Sequence, residues 1–470
     1  MASAGSTEKS RDIEKILNQL EADLAEPPPA HDGLLERLRS HITRPIGLGP
    51  LSTKRGISVL LRYAFDSASS TSNRSARRCL SNVLLLVPAS RQHLADSEYV
   101  GHVVNAMKSE DLMDQLISAR ILFLCTFVTT FDFEALFEEH HISGIINTTL
   151  SRYSEFIGTG PSSSRHGPSS IMAACDEVLK LLYTLIAKHP SSEPLFSSSV
   201  TPVLKLFTSF SLASPPLQPP ISSLINALSI LPLPKQSDNA SGFTDLFPES
   251  DSHIIVDRLD NILLSTIESS TPSDLDAQIS PLIQSLLRIA EVAPANLKTH
   301  LQSQLLPSSE DREKVLGTGD SLPMRLLRLT NVPSAPHLME LIPALLFELS
   351  DKDPRKLVQN IGYGYAAGYL ASQSIKLPED ALSSASDRSR ITELPEGEDE
   401  LEGDIPVNPI TGQRLDREAK VEIPEMTDEE KEREAERLFV LFERLRATGV
   451  VDVENPVAQA AREGRLEEKA

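Results

Sequence analysis

Helical periodicity runs almost without interruption through the first ~375 residues of this chain, and it constrains the fold more than any other feature. Apolar residues recur three and four apart in Asp12–Leu24, Gly33–Ser40, Thr53–Phe65, Arg74–Val87, Glu98–Met107 and Leu112–Thr129. The same spacing continues in Asp132–Glu138, Ser143–Phe156, Ile171–Lys188, Thr201–Thr208, Pro219–Leu231 and Asp251–Glu268. It then runs through Asp274–Ala293, Pro294–Leu306, Leu322–Thr330, His337–Leu349 and Arg355–Gln373. Alternating strand patterns are missing. Most of the 33 prolines fall between these segments or in a first turn, where a missing N–H costs least; Pro190, Pro202, Pro219, Pro220, Pro281 and Pro354 are read this way. The expectation is an all-α chain.

Many short helices in series predict an α-solenoid. Arg77–Leu85 can be laid over Arg120–Val128 at an offset of 43 residues, within the ~40–47-residue period of armadillo and HEAT repeats. A third window, Leu179–Ile186, follows after a longer insertion. The predicted organisation is a helical segment over 1–30, an armadillo/HEAT-like superhelix over 31–377, an acidic, turn-rich linker over 378–426, a separate amphipathic helix over 427–448 and a tail over 449–470. Gly158–Ser170, Ser209–Gln218 and Pro232–Ser250 read as polar loops, and Pro307–Ser321 as a break before the last repeats.

The 470 residues carry a formal charge of −21, unevenly spread. The last 95 residues hold 14 basic and 26 acidic groups, which is −12 of that total. Within them, Glu393–Asp404 contains seven acids and no base, a run that repels itself and stays extended. Such a balance argues against nucleic acid and against anionic membrane surfaces as partners. The N-terminus lacks the apolar stretch of a signal peptide, and no run approaches ~18 apolar residues. Three cysteines cannot form a disulfide framework, so the chain reads as a soluble cytoplasmic protein.

Covalent chemistry finds little support. Gly362, Gly364 and Gly368 have the look of a phosphate-binding motif, yet no strand precedes them; close approach of a neighbouring backbone is the better reading. His140 and His141 are adjacent and diverge on a helix, which is poor ligand geometry. Cys79, Cys125 and Cys175 fall inside Leu-rich windows as small core residues. No cofactor is expected. A binding surface is: Asn82 and Asn226 sit mid-helix, where Asn is a poor helix former, and Arg77, Arg78 and Arg120 lie in the repeat windows. Thr427 reads as a helix cap, with Glu430 reaching back, and Leu438, Leu441, Phe442 and Leu445 form an apolar stripe with Phe439 at its edge.

Three tail motifs carry a family resemblance. Asn360–Leu370, reading N-I-G-Y-G-Y-A-A-G-Y-L, resembles the T-G-Y-G-x-A-A-G-x-L segment of the synembryn family. Asn408-Pro409-Ile410-Thr411-Gly412 is similar to its N-P-x-T-G, and Met426–Glu432 to its M-T-E-E-Q-K-E. Cys79–Val83 and Arg120–Leu124 match the N-terminal half more loosely. The resemblance, to a fungal-type member, implies a cytosolic chaperone and guanine nucleotide exchange factor for heterotrimeric G-protein α subunits. It implies an armadillo/HEAT superhelix that takes the C-terminal helix of the α subunit into its groove, promotes GDP release and helps the subunit fold. Asn82, Arg120 and Phe123 would then face that helix, while Leu438, Phe442 and Leu445 would engage the partner's GTPase domain. Family members are phosphorylated in the acidic linker, and Ser384-x-x-Asp387 fits an acid-directed kinase. The expected protein is a monomer, drawn to the membrane-proximal cytosol by its partner. The alternative is an armadillo-type adaptor or scaffold that binds a linear peptide whatever the nucleotide state.

Overall fold

A computed structural model describes residues 2–24, 28–158, 167–235, 241–248, 252–271, 274–377 and 407–418 except 409, together with 427, 433, 436, 437 and 440. The chain forms two compact units, Met1–Asp416 and Arg417–Ala470. In the second, the described residues Arg433, Glu436, Arg437 and Val440 are helical.

The described residues of the first unit form twenty α-helices. They are α1 (Ala2–Ala22), α2 (Asp32–His41), α3 (Lys54–Phe65), α4 (Ser70–Leu86), α5 (Arg91–Ala95), α6 (Val100–Ala106) and α7 (Leu112–Cys125). Next come α8 (Phe133–Glu138), α9 (Ile142–Gly158), α10 (Pro168–Lys188), α11 (Val200–Ser209), α12 (Ile221–Leu228) and α13 (Ser241–Leu246). The last are α14 (Ile254–Ser269), α15 (Leu275–Val292), α16 (Ala295–Leu305), α17 (Leu322–Leu329), α18 (Pro336–Leu349), α19 (Pro354–Ile361) and α20 (Tyr363–Ser372). Among the described residues the only extended pairing is an isolated bridge between Val407 and Arg414. The all-α expectation therefore holds.

Local chemistry sets the helix starts. Thr53, Ser69, Asp111, Asp132 and Asp353 each accept a backbone N–H of the first turn that would otherwise be orphaned. Pro168, Pro323, Pro336 and Pro354 open their helices at positions that need no donor. Pro281 departs from the expected placement: it lies inside α15, where its ring forgoes one helical hydrogen bond. Pro232–Ser250, read as a loop, contains α13.

The helices stack in sequence. A spine runs α2, α4, α7, α10, α12, α15, α18 and α20, each packed on the next. Outer helices cover it, with α3 on α4, α6 on α7, α9 and α11 beside α10 and α12, and α14 on α15. The buried side chains form one continuous apolar core from Ile13 to Leu370, so that every helix pair shares its core with its neighbours, as in a solenoid. The three cysteines lie in that core, and burial pushes the Cys79 and Cys125 thiols up to about 12 and the Cys175 thiol higher still. They are protonated and inert at neutral pH.

One helix expectation fails. The period over Arg355–Gln373 predicts a single helix, but the chain turns sharply between α19 and α20. Gly362 sits there at φ +75°, a left-handed conformation that ends α19.

Candidate functional site

The spine helices are joined by a polar ladder. Arg74 of α4 reaches the start of α7, donating to Asp111 at 2.9 Å and to Asp114 at 3.0 Å. Arg77, only 8 % exposed, lies 3.3 Å from Asp114. Farther along, Arg120 of α7 donates to the buried Glu177 of α10 at 2.8 Å. Lys180 lies 2.6 Å from Asp176 and 3.3 Å from Glu177, and Asp176 accepts the Ser223 hydroxyl of α12 at 2.6 Å. Buried carboxylates such as Asp176 and Glu177 demand such partners, and the bonds from α4 to α7, α7 to α10 and α10 to α12 tie each of these spine helices to the next. Burial works to lower the Lys180 ammonium, but its bonds to Asp176 and the field of Glu177 outweigh this and raise it. No acid compensates fully at Arg77, where burial depresses the guanidinium.

A second row of half-buried and exposed side chains shares Arg120 with the ladder. On α4 it comprises Arg78, Asn82 and Leu85, spaced i, i+4, i+7. On and just beyond α7 it comprises Arg120, Phe123 and Phe127, spaced i, i+3, i+7. Leu85 and Phe127 are about half exposed, at 51 % and 49 %, and Tyr183 of α10 is exposed as well. The Phe123 and Phe127 rings pack edge-on with centroids 5.2 Å apart. Phe127 also lies 5.8 Å from the Arg91 guanidinium and 6.0 Å from the Lys188 ammonium, within cation–π reach. Asn82 and Asn226 are half-buried, and neither amide makes a side-chain hydrogen bond to the described residues. Aromatic contact area together with amides that have no side-chain partner suits a docked peptide helix, which offers apolar side chains and terminal carbonyls.

The structure thus sorts the sequence-derived candidates. Asn82 and Asn226 are half-buried with unengaged amides, Phe123 is half-buried against the core, Arg78 is half-buried near Glu36, Arg120 is shared with Glu177, and Arg77 is spent inside the ladder. Leu85, Phe127 and Tyr183 escaped notice, although the i, i+3, i+7 spacing that includes Arg120 and Phe123 leads directly to Phe127.

A second constellation lies at the other end of the unit. The Asn408–Gly412 turn packs on the corner between α19 and α20. Asn408 shapes the turn by accepting the Ile410 N–H at 2.9 Å, and the Gly412 N–H closes it onto the Asn408 carbonyl at 2.7 Å. Gly364 N–H then donates to the Ile410 carbonyl at 3.1 Å. A Cβ on Gly362 would meet the Gly412 nitrogen at 2.8 Å, and one on Gly412, at φ +69°, would collide with Leu316. The glycine motif therefore does admit a neighbouring backbone, that of this turn; Gly368, by contrast, faces open space.

Arg312 holds the two motifs together. Its guanidinium donates to the carbonyls of Gln359 at 3.0 Å, Asn360 at 2.8 Å and Gly412 at 3.2 Å, while its own carbonyl accepts the Arg414 N–H at 2.9 Å. Gln413 adds a bond to the Glu313 carbonyl at 3.2 Å. Burial lowers the Arg312 guanidinium from its ordinary range. Nothing in the sequence marked this residue, which sits in a polar break.

Pro409, Ser384 and the stripe Leu438, Phe439, Leu441, Phe442 and Leu445 lie outside the described residues. Among the described residues no group of His, Cys, Asp and Glu is arranged to hold a metal, and no helix is long and apolar enough to cross a membrane.

Comparison with known proteins adds identity to this geometry. The family model for the guanine nucleotide exchange factor synembryn matches residues 34–465. A synembryn-like chaperone of Schizosaccharomyces pombe is 35 % identical over 177 residues, covering 37 % of this chain and 32 % of that protein. The chaperone Ric-8 of Drosophila pseudoobscura pseudoobscura is 28 % identical over 173 residues, 37 % of this chain and 30 % of its own length. The match thus spans about a third of the length of these two relatives. The chaperone Ric-8A of Macaca fascicularis is 25 % identical over 479 residues, covering 94 % of this chain and 86 % of that protein.

Proposed function

This chain belongs to the synembryn family of guanine nucleotide exchange factors, and from that premise we propose that it binds the α subunit of a heterotrimeric G protein, speeds GDP release and assists the subunit's folding. The observation that supports this most is the open row on consecutive spine helices. Asn82 of α4 and Asn226 of α12 offer amides without side-chain partners among the described residues, and the intervening α7–α10 part of the spine carries the aromatic side chains Phe123, Phe127 and Tyr183. A helix laid across it would bury apolar side chains on the rings and satisfy its terminal carbonyls on the amides.

The mechanism needs no bond to be made or broken. GDP is held by an α subunit whose C-terminal helix is docked on its own domain. A protein that binds this helix more tightly when it is detached shifts the population toward the open state and raises the GDP off-rate. GTP binding reverses the bias and releases the complex. Holding a subunit in its nucleotide-free form also shields surface that would otherwise aggregate, which joins exchange to chaperoning. On this reading the protein works in the cytoplasm, as a monomer brought to the membrane-proximal cytosol by its partner.

Capture of a purified α subunit with GDP, with a non-hydrolysable GTP analogue and without nucleotide tests this. The expected order is strongest retention without nucleotide, then GDP, with the GTP analogue weakest. Equal retention in all three states would mean a nucleotide-blind peptide adaptor instead.

A further inference from the structure

The joint between the Asn408–Gly412 turn and the α19–α20 corner has a geometry that goes beyond holding the fold. The chain between Leu377 and Val407 is 29 residues long and could span up to roughly 100 Å when extended. Chain connectivity alone therefore leaves the start of the C-terminal extension almost free. The joint fixes it. Arg312 binds two carbonyls at the end of α19 and one from the turn, and the two left-handed glycines exclude any side chain that would hold the surfaces apart. Beyond it, Arg414 is gripped by the Arg312 carbonyl and pairs with Asp416 at 2.8 Å, the last residue of the first unit.

We propose that Arg312 is a positioning residue: by closing this joint it fixes the point from which the C-terminal extension, 417–470, leaves the helical array, and thereby sets how effectively the extension contributes to GDP release. This rests on the exchange function proposed above and on the expectation that the stripe at 438–445 engages the α subunit. A partner gripped at two places gains when the segment that bears the second grip starts from a fixed point, and a loose tether dilutes the second contact. Arg312 itself touches no partner in this account.

The test uses the full-length chain as wild type, Arg312→Ala, Arg312→Lys, Gly412→Ala and the Arg312→Ala/Gly412→Ala double variant. Amide hydrogen exchange at Gly412 and Arg414 reads the joint. Affinity for a synthetic peptide with the sequence of the C-terminal helix of a G-protein α subunit reads the open row. The rate of GDP release from the intact α subunit reads function. Arg312→Ala is expected to speed exchange at both amides, leave peptide affinity unchanged and slow stimulated GDP release by about tenfold. Arg312→Lys, which cannot fork to three carbonyls, shows the same pattern more weakly and guards against mere unfolding. Because Gly412→Ala opens the same joint, the double variant loses no more than the worse single one. Unchanged amide exchange in Arg312→Ala, unchanged GDP release despite an opened joint, or additive losses in the double variant would each overturn the proposal. A wild type that leaves GDP release unaltered would instead overturn the exchange function, while the amide data still decide whether Arg312 closes the joint.

Discussion

Asp260 is nine-tenths buried on α14, and neither of its carboxylate oxygens meets a donor. Burial, aided by the nearby Asp257, pushes its carboxyl up to about 7, against about 4 for an exposed aspartate. In the unfolded chain the group ionises first, so native stability falls as pH rises from about 4 to about 7, and the full cost persists above that. Asp260→Asn removes this titration. Its thermal midpoint is expected to gain on wild type as pH goes from 5 to 8, and parallel pH profiles would refute the assignment. The arginine and asparagine candidates divide in the same physical way. Arg77→Ala is expected to cost roughly 1–3 kcal/mol of stability, less than a fully orphaned buried charge, because Arg74 still pairs with Asp114. Asn82→Ala should leave stability within about 0.5 kcal/mol and weaken peptide binding instead; denaturant titration beside a binding isotherm separates the two. At this scale the sequence was partly legible. An Asn in the middle of a Leu-rich helix is out of character, which exposed Asn82; Asn226, also read as mid-helix, lies instead in the last turn of the short α12. Arg77 and Arg78 are neighbours about 100° apart on a helix, and sequence alone could not tell which faces inward.

At the scale of elements, helix existence followed from periodicity and helix starts from capping chemistry. Thr53 and Asp132 head their predicted segments and cap α3 and α8 in the structure. Asp111 caps α7 through the Met113 and Asp114 amides, at 2.8 Å and 3.3 Å, and also pairs with Arg74. Asp111→Ala is expected to lower stability by about 1–2 kcal/mol, read from the denaturation midpoint, whereas Asp111→Asn, which keeps a capping oxygen, should lose well under that. The break at Gly362 shows where periodicity fails. The apolar pattern passes through the corner undisturbed, because α19 and α20 both face apolar neighbours; only the backbone conformation of one glycine separates them. Arg312 was invisible for a related reason. Its partner Gly412 lies 100 residues away, and a single arginine in a polar break has no local pattern that announces a long-range contact.

For the molecule as a whole, the continuous core and the ladder from Arg74 to Ser223 make neighbouring repeats depend on one another, while the acidic excess is concentrated in the last 95 residues. That arrangement leaves the first unit a stiff platform and gives the joint at Arg312 a firm base. The order of helices was readable because each contributes its own period. The stacking partners were readable only as far as the 43-residue offset between two windows allowed, since insertions before α10 shift the register. What this platform does to its partner is the exchange function proposed above. It is tested most directly by loading a purified G-protein α subunit with fluorescent GDP and following nucleotide release with and without the full-length chain. The expected result is faster release that rises with the concentration of the chain and saturates, with the resulting complex dissolved by added GTP. A release rate unchanged by a folded sample at saturating concentration would contradict it.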